Sequence, residues 1–472
     1  MSSVNIFQTG KSGLFASRSQ LATTGHNVAN VNTEGYSRQR VEQVTAPPSQ
    51  IGTTVFGTGT KIKTIHRVND EFVTKQLSRE AKLMGQYEEK DLAMTQAEAV
   101  FNEINNEGMN RLMSRYFNEF RKLGNEPESE ALRSTVRETS EQLIGDFKRI
   151  ARSMNDIQKN IDIRLESSVR QTNEYVARIA DLNHQIKTYE IHGGEAADLR
   201  DSRDLAIKKL SNIADVEIAS NERGELTISL RDAGPLVSGS LINKLYLNSS
   251  KADVASGLPE GSMRVYLENR SPPEVTSKLK NSRLGGLVEA RDKILGEARK
   301  RLDELAYTFA TKVNDVHRQG FNLNGSTGMN FFKQPKQLEG AAELLSLSDE
   351  VKADANNIAT ALEADSPGDN RLVQHIAKLQ HSKIMSNGTS TFDDHYNATV
   401  ADLATVSQKN KQFMEHQGHI VAQLEKLRES ISGVSLDEET TNLVQFQHAF
   451  DASAKVIKVA YEMLDTVLRL RG

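Results

Sequence analysis

Apolar residues recur at intervals of seven at both ends of the chain, and at intervals of three and four through much of what lies between. Near the C-terminus Leu443, Phe450, Ile457 and Leu464 are spaced by sevens, with Phe446, Ser453, Ala460 and Val467 three residues after each and Tyr461 counted with the same seam. This places them on one stripe of a helix. Ser432-Gly433 interrupts the helix before it, and Ser435-Leu436-Asp437-Glu438 fits a capping box in which Ser and Glu satisfy free N–H groups at the new start. The helix that follows should run about 35 residues, or about 50 Å. At the N-terminus Phe7, Leu14, Leu21 and Val28 repeat the register, with Gly10, Ser17, Thr24 and Val31 as a companion row of mostly small side chains. Small residues let another helix approach closely, but Gly10 and Gly13 each lower helix propensity by about 1 kcal/mol relative to Ala. An amphipathic helix packed on its own domain gives the same periodicity. The alternative is a pair of terminal coiled-coil strands built to join copies of the chain. On that reading residues 1–35 and 435–472 are mobile in the free monomer and order on assembly, unless the two pair with each other, because a lone helix of this kind is marginal in water.

Residues 36–70 read as extended, with Val41, Val44, Ile51, Val55, Ile62 and Ile65 among Thr, Gly and Pro47-Pro48. From Glu80 the period becomes helical: Met94, Ala97, Phe101 and Ile104 form one stripe, and Leu112, Tyr116, Phe120 and Leu123 a second. After the turn at Gly124-Asn125-Glu126-Pro127, apolar residues from Leu143 to Ile186 step by threes and fours up to Gly193-Gly194. If continuous from Glu130, this helix spans about 90 Å and demands long partners. Arg291 to His317 supplies one; Tyr396, Val400, Leu403, Val406, Phe413, Ile420, Leu424, Leu427 and Ile431 supply another. Residues 213–283 change texture to short β segments such as Leu226–Leu230 and Arg264–Leu267 between Gly, Pro and Asn turns. The fold expected is mainly α with a β-rich insertion. Residues 1–35 and 433–472 make a terminal coiled-coil domain, 36–212 and 284–432 a helical rod with a short β-hairpin region, and 213–283 an inserted β domain. Residues 320–392 carry no clear pattern.

Composition narrows the function classes. At 472 residues with 37% hydrophobic content the chain has enough apolar material for a core in each of about three domains. Lys and Arg number 59 against 63 Asp and Glu, so the basic excess of a nucleic-acid binder is missing. No run of eighteen apolar residues predicts a membrane span, and residues 1–30 lack the zones of a cleavable signal peptide. Zero cysteines exclude disulfides, thiol catalysis and thiolate metal sites.

Candidate chemistry is thin. His416 and His419 share a helix face beside Glu415, yet no third ligand is placed. Gly57-Thr58-Gly59 opens no βα unit and reads as a turn. Asp198-Leu199-Arg200-Asp201-Ser202-Arg203-Asp204 suggests paired carboxylates, but Arg200 and Arg203 stand beside Asp201 and Asp204 at spacing that favours ion pairs along a helix surface. Asn314, Asp315 and His317 lack a nucleophile. No catalysis and no cofactor are expected.

Ala29-Asn30-Val31-Asn32-Thr33-Glu34-Gly35-Tyr36-Ser37-Arg38-Gln39 resembles the N-terminal signature of the flagellar axial protein family, and its Tyr36-Ser37-Arg38-Gln39 continuation looks like the members that join hook to filament. Asn30 and Asn32 suit hydrogen bonding where a helix ends, and Gly35 suits a positive φ. Asp198–Leu205, the block from Gly285-Gly286-Leu287 through Arg291-Asp292, Asn314, His317, Gly320, Phe321 and Phe331-Phe332, and Gly433–Glu439 with Leu443 and Phe446 are similar to further segments of that family. The resemblance implies a structural subunit of the bacterial flagellum, forming a ring of copies between hook and filament and templating the filament. Its terminal helices would line the inner tube, with the β domain outward. It further implies hook protein and a second junction protein as neighbours, export through the flagellar type III apparatus to the cell exterior, and a cytoplasmic chaperone at the C-terminal helix. Neither nucleic acid nor membrane insertion is implied. A hook or rod component, or more remotely a non-flagellar coiled-coil scaffold, is the competing reading.

Overall fold

Helix α4, Glu130–Glu190, is the strut on which the rest is laid. Ser129 caps it by accepting from the Leu132 N–H, and its inward stripe from Leu143 to Ile186 is buried along its whole length. The computed structural model describes residues 2–51, 54–101, 108–191, 193–220, 226–249 and 261–469. Ile104 and the side chain of Val467, both placed on apolar stripes by the sequence, lie outside what it describes.

In chain order the helices are α1 (Ser2–Ala29), α2 (Glu71–Phe101), α3 (Met109–Asn125), α4, α5 (Ala197–Ile213), α6 (Arg283–Glu289), α7 (Gly296–His317), α8 (Ala341–Leu344), α9 (Asp349–Ala353), α10 (Arg371–Lys378), α11 (Phe392–Ser432) and α12 (Leu436–Arg469). The strands are β1 (Gln39–Thr45), β2 (Ser49–Ile51), β3 (Thr54–Phe56), β4 (Thr60–Arg67), β5 (Val216–Ser220), β6 (Leu226–Leu230), β7 (Gly234–Ser238), β8 (Leu241–Ile242), β9 (Leu245–Ser249) and β10 (Met263–Leu267). The fold is mainly helical with small β sheets, as the pattern predicts. α2 starts at Glu71, earlier than the expected Glu80, because Asp70 caps it through the Phe72 and Val73 N–H groups.

α2, α3, α5, α6, α7 and α8 pack on α4, and α11 lies against α2 and α7. Gly85 and Gly286 allow close crossings: a Cβ on Gly85 would stand 2.5 Å from the Asn212 carbonyl oxygen on α5, and one on Gly286 2.6 Å from the Gln86 carbonyl oxygen on α2. Past α6 a π-helical segment, Ala290–Leu295, carries Arg291 inward. Its guanidinium, 1% exposed, bonds Asp162 on α4, Asp292 and the Met263 carbonyl. β1 pairs antiparallel with β4, β2 with β3, and β5-β6-β7-β8 form a meander. The β9–β10 hairpin hangs on α4 through Asn173, whose side chain bonds both backbone groups of Leu245.

Residues 320–392, illegible in sequence, form a cap of short helices and turns at the N-terminal end of α4. Two buried polar pegs hold it. Arg133 spans from Pro127 O to Ile358 O and Thr360 Oγ1 with no carboxylate among these partners, and burial lowers its pKa to about 10. Asn314 accepts from the Phe331 and Phe332 N–H groups and donates to Phe332 O, folding the two Phe rings onto Tyr116 and Phe309.

One expectation fails on α11. The sequence assigns a single buried stripe from Tyr396 to Ile431. In the structure Tyr396, Leu403 and Leu424 face inward, while Val406, Phe413, Ile420 and Leu427 are exposed. The inward row is completed by Ser407, Asn410 and Gln417, the last two donating to the Tyr87 and Glu80 carbonyls of α2.

Candidate assembly site

The two chain ends meet. α1 and α12 pack along one another, which is the exception the sequence left open to α12 having no partner until copies assemble. The glycines that weaken α1 as an isolated helix are the contact points. A Cβ on Gly10 would lie 2.9 Å from Ile457 Cγ1, and one on Gly13 would lie 2.8 Å from Ser453 Oγ. In α1 the deeply buried row is therefore the small and polar one, Gly10, Ala16, Ser17, Thr23, Thr24 and Asn27. Leu14, Leu21 and Val28 are only half-buried and Phe7 is exposed. On α12 Phe446, Phe450, Ile457 and Leu464 are half-buried and Ala460 is fully buried. Leu443 and Tyr461, assigned to the same seam, stand exposed, Tyr461 at 69%.

Where α1 ends, its last turns are tied to three other elements through one carboxamide. Asn27, 1% exposed, accepts at Oδ1 from the Tyr36 hydroxyl (2.8 Å) and the Gln39 N–H (3.0 Å). Its Nδ2 donates to Gln39 O (3.0 Å) and to Glu439 Oε2 on α12 (3.2 Å). All four hydrogen-bonding positions of the amide are thus used, which fixes which way it points. The sequence reading overlooked Asn27. Its signal was the polar row Gly13, Gln20, Asn27, at sevens on an otherwise apolar repeat.

The signature turn folds around this amide. Asn30 donates to His26 O and accepts from the Thr33 hydroxyl, ending the helix. Gly35 sits at φ 84°, and a Cβ there would press within 3.1 Å of Leu205 on α5. Ala29, Asn32 and Thr33 are exposed. The Tyr36 phenol is pushed well above its usual range by burial, with Asp198, Asp201 and Glu439 nearby. Arg38 bonds Glu438 by its guanidinium and Ser432 O by its N–H. The predicted capping box is thereby half made: Ser435 Oγ accepts from the Glu438 N–H, while the Glu438 carboxylate goes to Arg38.

The Asp198–Asp204 block is the platform beneath the turn, and here too the expected pairing is corrected. Asp201 and Asp204 pair with Arg67 at the end of β4, not with Arg200 and Arg203. Arg200 bonds Glu190, and Arg203 donates to Asn183. Asp201 also accepts from the Ser37 N–H (2.7 Å) and hydroxyl (2.9 Å). Burial raises its pKa, with Arg67 and Ser37 working the other way. Gln39 and His26 reach Asp198. The sequence separation of these partners explains why the pairing was invisible: local spacing says nothing of an arginine on a strand 134 residues earlier.

This arrangement has the properties of a joint. It fixes the angle at which a helical pair leaves the rod, with Asn27, Asp201 and Arg67 each tying one element to another. The remaining chemical candidates are elsewhere: His416 and His419 are exposed on α11, Gly57–Gly59 is the turn before β4, and among the described residues no cluster of three or more His, Asp or Glu has the geometry to hold a metal.

A family model described as the flagellar hook-associated protein FlgK helical domain matches residues 94–332. Others, for the flagellar basal body rod FlgEFG protein C-terminal region and for the flagella basal body rod protein, match residues 428–470 and 7–36, the two sides of the joint. The chain is 29% identical to flagellar hook-associated protein 1 of Bacillus subtilis over 98% of both chains. It is 26% identical to that of Escherichia coli over 99% of this chain and 100% of the other. The fold is similar to that of the flagellar hook junction protein FlgK from Burkholderia pseudomallei, with a TM-score of 0.67 and 16% identity, covering 76% of this chain and all of that one.

Proposed function

Because the chain belongs to the flagellar hook-associated protein FlgK family, a family of flagellar axial structural components, we propose that copies of it form the junction ring between hook and filament and template filament growth without catalysing a reaction. The observation that carries this reading is the joint at Asn27: the first and last helices are bound to each other and held at one angle to a long rod. That is the shape a subunit needs if its ends are to build a tube inside a shell of rods. The hook protein would lie on one side and a second junction protein on the other. Export through the flagellar type III apparatus, with a cytoplasmic chaperone at α12, would precede assembly outside the cell. The seam residues Phe7, Leu14, Leu21, Val28, Leu443, Phe446, Phe450, Ile457, Tyr461, Leu464 and Val467 would be shared between the intrachain pair and its neighbours, the exposed Leu443 and Tyr461 facing other copies. A hook or rod component is the second reading, favoured only by the matches at the two ends; the match over residues 94–332 supports the first.

Ile457→Asp tests it. Burying an aliphatic side chain is worth roughly 1.5–3 kcal/mol and a buried unpaired carboxylate costs several more, so this change, like Leu464→Asp, should part the terminal pair and leave the rod folded. Cells carrying it should keep hooks, lose filaments and shed flagellin into the medium. Normal swimming with the variant chain in place would overturn the reading.

A further inference from the structure

The two heptad rows of α11 are inverted. The row turned into the protein carries Asn410 and Gln417 at its centre, and the neighbouring row turned to solvent, Val406, Phe413, Ile420 and Leu427, is apolar throughout. Phe413 is 56% exposed and leans on Tyr87 of α2. A helix whose only task is to cover α2 would be expected to present its apolar row inward. Inward amides instead fix the register of α11 on α2, the role a polar residue plays at a heptad position, while the exposed apolar row is maintained at a cost in solubility. Strict spacing by seven over 21 residues, about 32 Å, fits a helix crossing at a shallow angle.

We propose that this row is a docking surface for a second copy of this chain, and that the segment it receives is the exposed flank of that copy's α12. The proposal rests on the ring reading above. α12 carries a matching exposed row at three-and-four spacing, Ala449, Ala452, Val456, Val459 and Met463, on the flank beside its contact with α1, where Val456 also meets Gly10. Its two alanines leave room for Phe413. Two different patches must meet, since a patch that pairs with itself closes at two copies, whereas unlike patches add copies around a ring. The area also argues for this occupant. Four side chains on one helix fall far short of the roughly 800 Å² per partner of a self-standing interface, so the free chain stays monomeric and the contact forms when a ring holds many such pairs at once.

The chain has no cysteine, so introduced pairs report without background. Cells would co-express one chain with Phe413→Cys or Ile420→Cys and another with Val459→Cys or Met463→Cys, and isolated flagella would be oxidised with copper phenanthroline. The expected result is a disulfide-linked dimer in at least one mixed pairing in flagella, and none with the purified monomers. A dimer from Ile420→Cys alone would show the row meeting its own copy and overturn α12 as the occupant. No mixed dimer, with the chain present in the flagellar fraction, would overturn the proposal and leave the ring reading standing. Absence of the parent chain from flagella would overturn the ring reading and this inference with it.

Discussion

Single side chains in the cap show how much of the sequence pattern is structural. His317 is fully buried, with Nδ1 at 2.8 Å from Met329 O and Nε2 accepting from the Ala359 N–H, so the neutral tautomer that donates from Nδ1 fits both partners. Burial lowers its pKa to about 4. Between about pH 6.5 and 4 the unfolded chain takes up a proton that the folded one refuses, so stability falls as pH drops through that window, by about 3 kcal/mol in full. Thermal melting of the wild type should therefore decline from pH 7 to 4.5. His317→Gln should melt lower at pH 7 but with a flatter slope; an unchanged slope would show that another group controls the decline. The resemblance placed Asn314, His317 and Phe331-Phe332 in one longer block of the chain, and the structure gives their work: they peg a loop. No periodicity encodes such pegs, because each acts through backbone groups that carry no side-chain signature.

Among elements, the helices were legible in proportion to their length. α4 ends at Glu190, between the last apolar step at Ile186 and Gly193-Gly194, since steps of three and four are sustained for over ten turns. α11 was legible as a helix but not in orientation: its two apolar rows lie side by side, and nothing local says that Asn410 and Gln417 would take the inward one. The same limit applies at α1, where the aliphatic row drew attention and the small row does the packing. This gives a test with opposed outcomes. Gly10→Val would strengthen an isolated helix little or not at all, and its Cβ would meet Ile457 at 2.9 Å; the expected result is separation of α1 from α12, seen as rapid amide exchange in both helices. Gly25, with open space beside it, is the control: Gly25→Ala should leave exchange at the pair unchanged or slower. Rapid exchange in neither variant would mean that the pair tolerates a wider spacing.

For the molecule as a whole, the division into a rod and a terminal pair predicts two stabilities in one chain. A fragment from about residue 40 to 430 should melt cooperatively with high helicity, because α4 and its partners bury their apolar faces without α1 or α12. In the intact monomer, amide exchange at 443–467 should be faster than at 143–186, and residues 5–29 should follow α12 because each shelters the other. A molten fragment, or equal protection in both regions, would show that the ends belong to the core. The pairing also imposes an order in time. Asn27 and Glu439 are separated by 412 positions, so a chain emerging through a narrow passage from either end delivers one helix of the pair long before the other. The rod can settle meanwhile, since most of its contacts become available as the chain arrives. The first helix cannot. Its groove is filled by α12, and until that helix is free the pair cannot close. If copies assemble as proposed, a chain whose α12 is missing or not yet free leaves α1 uncovered and should not take its place in the ring.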